Sequence, residues 1–462
     1  MPDSSERSPQ KSLSQVKTLY SNTLLHHFTP QTIVHPTTES EIVRVLQVAT
    51  DRGSNVRAIG SMHSYAPIYS TEGVCIVLDR YRRLLGVEGN LVTVQGGMLI
   101  SELNGLLAQC HLALPIVGAI ANQTVSGAIS TGTHGGSLHH PNLSGYVHSL
   151  RLIRADGSVL ELDTSQEHFQ AVAVSMGLLG IISTVTFRCV PAFTLHAQSS
   201  SMSLDELVTR FDELHCNNKY LDIKYIPITD NVQVLTINPS VVTKSPDVSA
   251  FIYRSSGERK FKTFILKGML SLFQHPQFNW LQYLLLKNHQ DNIYPAYQSD
   301  RSDLVLTNLD LTYYDPIPIH NMEVAVPYTQ ALTVLKVLQN YFQQTRRYPN
   351  IFIRIRCSAA DNFWLSPAYQ RATCWLDLCE YPYTGNFFRA IAELLKPFEI
   401  RCHWGKEIQL ERDYLRQRYE KWDAFLDLRQ TWDSQGIFAN QRLDYFLKPM
   451  EESYLATTSS NY

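Results

Sequence analysis

Apolar residues first recur at helical spacing in "TTESEIVRVLQVATDRG", residues 37–53, where Ile42, Val45, Leu46 and Ala49 share one face. Thr38 and Glu41 frame its start as a capping box, and Gly53 supplies the stop. Short apolar runs then predict strands at "VRAI", "VCIVLDRY" and "LVTVQGG", with "GVEGN" as a turn region before the last. "ISELNGLLAQC" predicts a second helix, and the apolar "LALPIV" follows it. "SLRLIRADGSVLELD" predicts a hairpin turning at Asp156-Gly157. "HFQAVAVSMGLLGIISTVTFRCVP" predicts a helix, a glycine-containing turn and a strand. Residues 30–192 therefore read as an α+β unit of mixed strands with few long helices.

The texture changes after Pro191. "SLDELVTRFDELH" predicts a helix and "YLDIKYIPITDNVQVLTI" a pair of strands. The most apolar stretch, Phe264 to Lys287, is interrupted by Lys267, Gln274, His275 and Pro276, so it fails as a membrane span. It reads as two amphipathic helices broken at Pro276 that cover a core. Strands at "HNMEVAVP", "NIFIRIRCS" and "TCWLDLCEY" and helices at "TQALTVLKVLQNYFQQ" and "GNFFRAIAELLKPF" predict a second, strand-rich domain leading to "HWGKEIQL". The charged, aromatic stretch from Leu410 to Leu447 reads as helix, then loop.

Length and composition narrow this picture. A chain of 462 residues implies two or three domains, or one large domain with an insertion. The net charge of -2 gives no electrostatic case for a nucleic-acid partner. The 24 tyrosines suit a flat or polyhydroxylated ligand that needs both an apolar wall and a hydrogen bond. The eight cysteines, Cys75, Cys110, Cys189, Cys216, Cys357, Cys374, Cys379 and Cys402, have no CxxC spacing and read as buried free thiols. "MPDSSERSPQKSLSQ" is a polar tail without the apolar core of a signal peptide, so a cytoplasmic, reducing compartment is expected, without membrane association.

Three stretches carry candidate chemistry. "VRAIGSMHSYAPI" places His63 in a bend of small residues directly after a strand. "GAIANQTVSGAISTGTHGGS", residues 118–137, can lay backbone N–H groups and hydroxyls against a phosphate, because small side chains let the backbone approach. Its Val125 and Ile129 would be wasted on a solvated linker. "SMGLLGIISTVTFRC" brackets a turn with Gly177 and Gly180. The P-loop, GxGxxG, GxSxG and HExxH patterns are absent. His134, His139 and His140 cluster, but adjacent histidines point apart, so no metal site is expected.

In this order the three stretches resemble the FAD-binding domain of the vanillyl-alcohol-oxidase flavoprotein superfamily. "RAIGSMHS" is similar to its strand-to-bend segment and "NQTVSGAISTGTHGGS" to its pyrophosphate loop. "YLDIKYIPITDNV", "MEVAVP", "DNFWLSPAY" and above all "HWGK" resemble the sugar-lactone and alditol oxidase branch. The resemblance implies an α+β fold: a two-part FAD-binding domain of the PCMH type with an inserted α+β substrate, or cap, domain. Implied boundaries are a disordered tail at 1–20, FAD-binding domain 21–192, cap 193–405, and a segment 406–462 returning to the FAD domain. FAD is the implied cofactor, and His63 the candidate for a covalent bond to it. Gly60, Ser61, Met62 and Ser64 would form the bend around it. Gly118, Gln123, Thr124, Gly127, Ala128, Ser130, Thr131, Gly132, Thr133 and His134 would form the pyrophosphate loop, with Gly180 and Ile182 at the third turn.

Branch members oxidise a CH–OH group by hydride transfer to flavin, and many reoxidise the flavin with O₂. The implied partners are a small-molecule substrate and O₂ or another electron acceptor. Lys406 and Arg356 match the branch's site cations, which offset charge on the reduced ring. His403 is available to position the substrate or to accept a proton. The chain departs from the branch at Arg354, where a glutamate is usual, and at Met62, where glycine is common. "LYSNTLLHHFTPQTIVHP" also replaces the branch's aromatic, asparagine-containing N-terminal segment. Residues two apart on a strand share a face, so Arg354 and Arg356 would both point at the flavin. That pair suggests an anionic substrate, unless a protein carboxylate such as Glu323 neutralises Arg354. Two other readings stand beside the CH–OH oxidoreductase: a tailoring oxidase for an acidic or nitrogen-containing specialised metabolite, and a flavin-binding protein without turnover.

Overall fold

Strand alternation decides where the charged residues go. In Ile353–Ser358, Ile355 and Cys357 join the main hydrophobic core, and Arg354, Arg356 and Ser358 take the other face. In His320–Pro327, Met322, Val324 and Val326 face the core and Glu323 points away. In Thr373–Glu380, Cys374, Leu376 and Leu378 do the same, opposite Trp375 and Asp377. These strands belong to one antiparallel seven-stranded sheet. Its order is Thr194–Ser203, Asn231–Ser240, Tyr220–Ile226, Ile353–Ser358, Thr373–Glu380, His320–Pro327, Arg401–Cys402. The helices Leu204–Asn217, Ala331–Thr345 and Asn386–Leu395 bury their apolar stripes in the same core. The polar face is buried as well, against the N-terminal half. This computed structural model describes residues 17–240, 268–273, 275–289 and 319–448.

The N-terminal half holds a parallel sheet, ordered Thr32–Val34, Val74–Val77, Val56–Ile59, and an antiparallel sheet ordered Val159–Asp163, Val147–Ile153, Ile181–Arg188, Leu91–Gln95, Leu84–Glu88. The helix Glu39–Asp51 carries the expected capping box at Thr38 and Glu41, and buries Ile42, Leu46 and Ala49. Gly53 at φ 61° and Gly157 at φ 79° turn the chain where the sequence places breaks. The C-terminal stretch comes back to this half: Val56 N–H donates to Ile437 O at 2.7 Å, and Asn440 Nδ2 donates to Ser70 O at 2.8 Å.

Several expectations need correction. "GVEGN" is only partly a turn, because Leu84–Glu88 is a strand pairing with Leu91–Gln95. It is a largely exposed edge strand, so it lacks the buried alternation that would announce it. The stretch 118–137 is not loop throughout, since Val125–Ser130 is a short helix with Val125, Ala128 and Ile129 buried at i, i+3 and i+4. The stretch after Leu410 forms three helices, Arg412–Arg418, Trp422–Trp432 and Gln441–Leu447. The tail does not extend to residue 20: Leu19–Tyr20 pairs with His27–Phe28, and Leu19 packs against Ile59, Tyr69 and Cys75. Residues 1–16 of the expected tail lie outside the described residues. Of the apolar stretch around Pro276, residues 264–267 and 274 also lie outside them; residues 268–272 are helical and Asn279–His289 is a helix. The cysteines are free, but Cys110 and Cys216 are exposed. No helix among the described residues is long and apolar enough to cross a membrane.

Candidate active site

The bend Gly60–Ser64 lines a cleft that opens to solvent. Gln123, Thr124, Gly127, Ser130 and Thr131 line it from the small-residue stretch, and Gly177, Gly180 and Ile182 from the third turn. The three stretches singled out in sequence thus meet around one space. Glycine is required at position 60, where a Cβ would stand 2.0 Å from Thr124 Oγ1. Met62 sits at φ 52°, the left-handed region that favours glycine, and its carbonyl accepts from Asn22 N–H at 3.1 Å.

The cleft fits a polar ligand such as FAD. Ser61 Oγ, His63 Nε2 and Thr124 Oγ1 are buried at its wall without a hydrogen-bond partner among the described residues. Burial lowers His63 to about 4, so its imidazole is neutral near pH 7. Gly118, Ala128 and Gly132, also expected to touch the cofactor, line neither this cleft nor the adjoining cavity. A Cβ at Gly118 would meet Thr133 Cγ2 at 2.3 Å, Ala128 is in the hydrophobic core, and Gly132 turns the chain at φ 68°. All three shape the loop from behind.

A second cavity shares His63, Ser64, Gln123 and Thr131 with the cleft and adds Thr133, His134, Glu323, Arg356, His403 and Lys406. It lies where "HWGK" meets the His63 bend, because Tyr65 N–H donates to Gly405 O at 2.7 Å. Trp404 anchors the tetrapeptide: it is fully buried, and its Nε1 donates to Leu365 O at 2.7 Å in "DNFWLSPAY". Asp361 secures that second motif by accepting from Asn142 Nδ2 at 2.8 Å and from Ser366 Oγ at 2.5 Å.

Glu323 is the hub of this cavity. Lys406 Nζ lies 2.9 Å from its Oε2, and Arg356 Nη2 and His134 Nε2 lie 3.2 Å and 3.3 Å from its Oε1. Lys406 also meets Asp377 Oδ2 at 3.0 Å. Burial alone would raise Glu323, but Lys406, His134 and Arg356 hold it well below the usual carboxylate range. Burial works against the Lys406 charge, and Asp377 and Glu323 more than restore it. His134 stacks on Trp375 with centroids 3.8 Å apart, and donates through Nδ1 to Gly135 O at 2.9 Å. His403 Nδ1 accepts from Gly405 N–H at 3.1 Å, and burial lowers it to about 3. The neutral ring therefore carries its proton on Nε2.

Arg354 is the main correction. It does share a face with Arg356, but it points its guanidinium at Asp222, with Nε 2.9 Å from Oδ1 and Nη2 also on Oδ2. Burial resists ionisation of Asp222, yet Arg354 outweighs it and brings the carboxyl down to about 2. Arg354 borders a different, smaller space with Asp222, and not the cavity of His63 and His403. The protein's own carboxylates, Asp222 for Arg354 and Glu323 for Arg356, sit where an anionic substrate was expected. His134 faces Glu323, and His140 meets the Tyr146 hydroxyl.

Sequence reasoning missed Arg57, Trp375 and Asp377. Arg57 lines the cleft and donates to the carbonyls of Ile68, Met176, Gly177 and Phe438 at 2.8, 2.6, 3.2 and 3.2 Å, tying four segments together. Its signal was a lone arginine inside the apolar run "VRAI". Asp377 was legible only as a charge within the alternating "CWLDLC".

Residues 185–446 match the D-arabinono-1,4-lactone oxidase family, and residues 30–163 match an FAD binding domain. The chain is 33% identical over 436 residues to an L-gulono-1,4-lactone dehydrogenase of Mycobacterium tuberculosis, covering 91% of this chain and 96% of the relative. It is 29% identical over 429 residues to the L-gulonolactone oxidase of Mus musculus, covering 90% and 94%. Among solved structures, a cholesterol oxidase from B. sterolicum superimposes with TM-score 0.74 at 15% identity, covering 96% of this chain and 100% of that one. A chitooligosaccharide oxidase gives 0.67 at 12%, covering 95% and 98%. At these identities the two structures speak for the fold alone.

Proposed function

The chain belongs to the D-arabinono-1,4-lactone oxidase family and is an FAD-dependent oxidoreductase; from that premise we propose that it oxidises a CH–OH group of a neutral, sugar-derived lactone. The observation that carries this reading is the matched charge of the cavity: Lys406 and Arg356 are already bound by Glu323, and Lys406 again by Asp377. A substrate carboxylate would have to compete with buried protein carboxylates for those cations. A hydroxylated neutral ring needs only hydrogen bonds and an apolar wall.

FAD held in the cleft of Ser61, His63 and Thr124 would supply the hydride acceptor for the carbon that bears the hydroxyl. The protein's part is to hold the substrate and fix charge. His403 donates from Nε2–H to a substrate oxygen and, with Nδ1 already accepting from Gly405, positions rather than takes a proton. Lys406 and Arg356 supply positive charge held in place before reaction, so no reorganisation is needed as negative charge develops. His63, neutral and with an unpartnered Nε2, is the proposed point of covalent attachment. The proposed division is a cofactor domain over 21–192 completed by 406–462, with a cap over 193–405, and O₂ is the proposed electron acceptor.

The test is an anaerobic screen of aldonolactones, polyols and hydroxy acids, read by bleaching of the flavin bands, with hydrogen peroxide measured in air. Lactones should bleach the flavin and give one peroxide per turnover. A hydroxy acid with a higher kcat/KM than every lactone would overturn the neutral-substrate reading. Bound flavin that no donor bleaches would favour the protein without turnover. Acid precipitation of wild type and His63→Ala tests attachment: yellow colour should stay with the wild-type pellet and leave the variant's.

A further inference from the structure

Away from the flavin cavity, three chain segments bring two imidazoles and a carboxylate together. His26 lies at the turn of the N-terminal hairpin, His320 opens the strand His320–Pro327, and Glu407 follows Lys406. One ligand atom from each lies within 4.8 Å of those of the other two. We infer that His26, His320 and Glu407 form a binding site for a divalent transition metal, zinc first, that clamps the hairpin to the sheet behind the His63 bend.

The surroundings are those of a built site. His26 Nε2 lies 2.8 Å from Tyr65 O. A carbonyl only accepts, so Nε2 carries the proton and Nδ1 presents its lone pair. Such an outer hydrogen bond to a backbone carbonyl is the usual means of orienting a metal-binding histidine. The His320 ring is fixed by stacking on Tyr383, centroids 3.9 Å apart. Glu407 is held beside His320 by its N–H donating to Asn321 O at 2.9 Å, and its Oε1 lies 3.0 Å from His320 Nδ1. Tetrahedral zinc at bond lengths near 2.0–2.2 Å needs its ligand atoms about 3.4 Å apart, a short closure that small side-chain shifts can supply with both rings kept in their seats. Two imidazoles and one carboxylate suit zinc, with water completing the shell, and suit magnesium or calcium poorly. Among the described residues, Arg442 is the cation in contact, 3.6 Å from Glu407 Oε2, and it tempers the affinity. The other grouping of this kind among the described residues, His134, Glu323 and His403, is a poorer host, because Lys406 and Arg356 already occupy Glu323.

The position gives an ion a structural consequence. Asn22 N–H of the hairpin bonds to the carbonyl of the strained Met62, and Tyr65 N–H bonds to Gly405 O. A metal joining His26 to His320 and Glu407 would hold the hairpin and the segment after "HWGK" on either side of that bend.

The experiment is calorimetric titration of chelator-treated holoenzyme with Zn²⁺, repeated on His320→Gln, His26→Asn and His403→Gln. Wild type should bind one Zn²⁺ with a Kd of about 10 µM or tighter and gain thermal stability. His320→Gln and His26→Asn should each bind roughly tenfold or more weakly. His403→Gln should bind as wild type does. Absence of saturable binding to wild type overturns the inference, whether or not the variants fold. So does binding that survives both substitutions, or that only His403→Gln removes.

Discussion

Lys406 keeps its charge in a place where burial opposes it, because Glu323 and Asp377 face it at 2.9 and 3.0 Å. Lys406→Met should therefore lower the rate of flavin reduction by roughly 10²–10³-fold, the scale of removing one preorganised electrostatic group. It should retain bound FAD, whose cleft is lined by other residues. Stopped-flow reduction with a saturating lactone checks this, and a loss under about threefold would remove Lys406 from the chemistry. His403 makes a prediction of opposite kind. Its imidazole is held neutral down to about 3, so lowering the pH from 8 to 5 should not titrate it. An acidic limb of kcat/KM near pH 6.5 that His403→Asn abolishes would show that the ring takes up a proton. Both motifs were legible as residues. The direction of Arg354 was not, because its partner Asp222 lies 132 residues earlier and meets it only through sheet pairing.

At the scale of elements, one buried arginine joins segments that the chain brings from far apart. Arg57, on the strand Val56–Ile59, satisfies carbonyls at positions 68, 176, 177 and 438. Hydrogen bonds to a charged donor contribute about 1.5–3 kcal/mol each, and Arg57→Leu leaves four carbonyls without their donor. The expected outcome is a cleft that loosens before the fold is lost. FAD dissociation should rise roughly tenfold or more, seen as recovered flavin fluorescence on dilution, with far-UV circular dichroism little changed. If His63 carries the flavin covalently, the same loosening should appear as a slower attachment reaction. The strands Ile353–Ser358, Thr373–Glu380 and His320–Pro327 show why pattern gave the elements but not their surroundings. Alternation correctly separated two faces. The charged face then became the buried wall of a site and not a solvent surface, because the N-terminal half packs against it.

For the whole molecule, the histidines buried as neutral rings set an acid limit. His403 is lowered to about 3 and His215 to about 4, both by burial. In the unfolded chain each binds a proton below about 6.5. The folded chain therefore binds fewer protons between about 6.5 and 4, so stability is complete above that window and falls as the pH drops through it. The slope is about 1.4 kcal/mol per pH unit for each such group. Urea midpoints of the holoenzyme at pH 7.5, 6.5 and 5.5 should decline with acid. His215 sits between Phe211 and Tyr328 with Nε2 unpartnered among the described residues, so His215→Leu should flatten the decline. An unchanged slope would show that this ring is hydrated or protonated in the folded state.

Most of the local structure was legible along the chain, and the resemblance of its motifs to a flavoprotein family implied the cofactor. The capping box, glycine turns, helical stripes and strand alternation depend on neighbours a few residues away, and the small-residue motifs offer backbone to a phosphate. Tertiary structure decided which charges meet. Arg354 with Asp222, Arg356 and Lys406 with Glu323, and His26 with His320 and Glu407 are pairings between distant segments. Their electrostatics turn on a few ångströms and on shared burial, and neither is written in the spacing of residues along one strand.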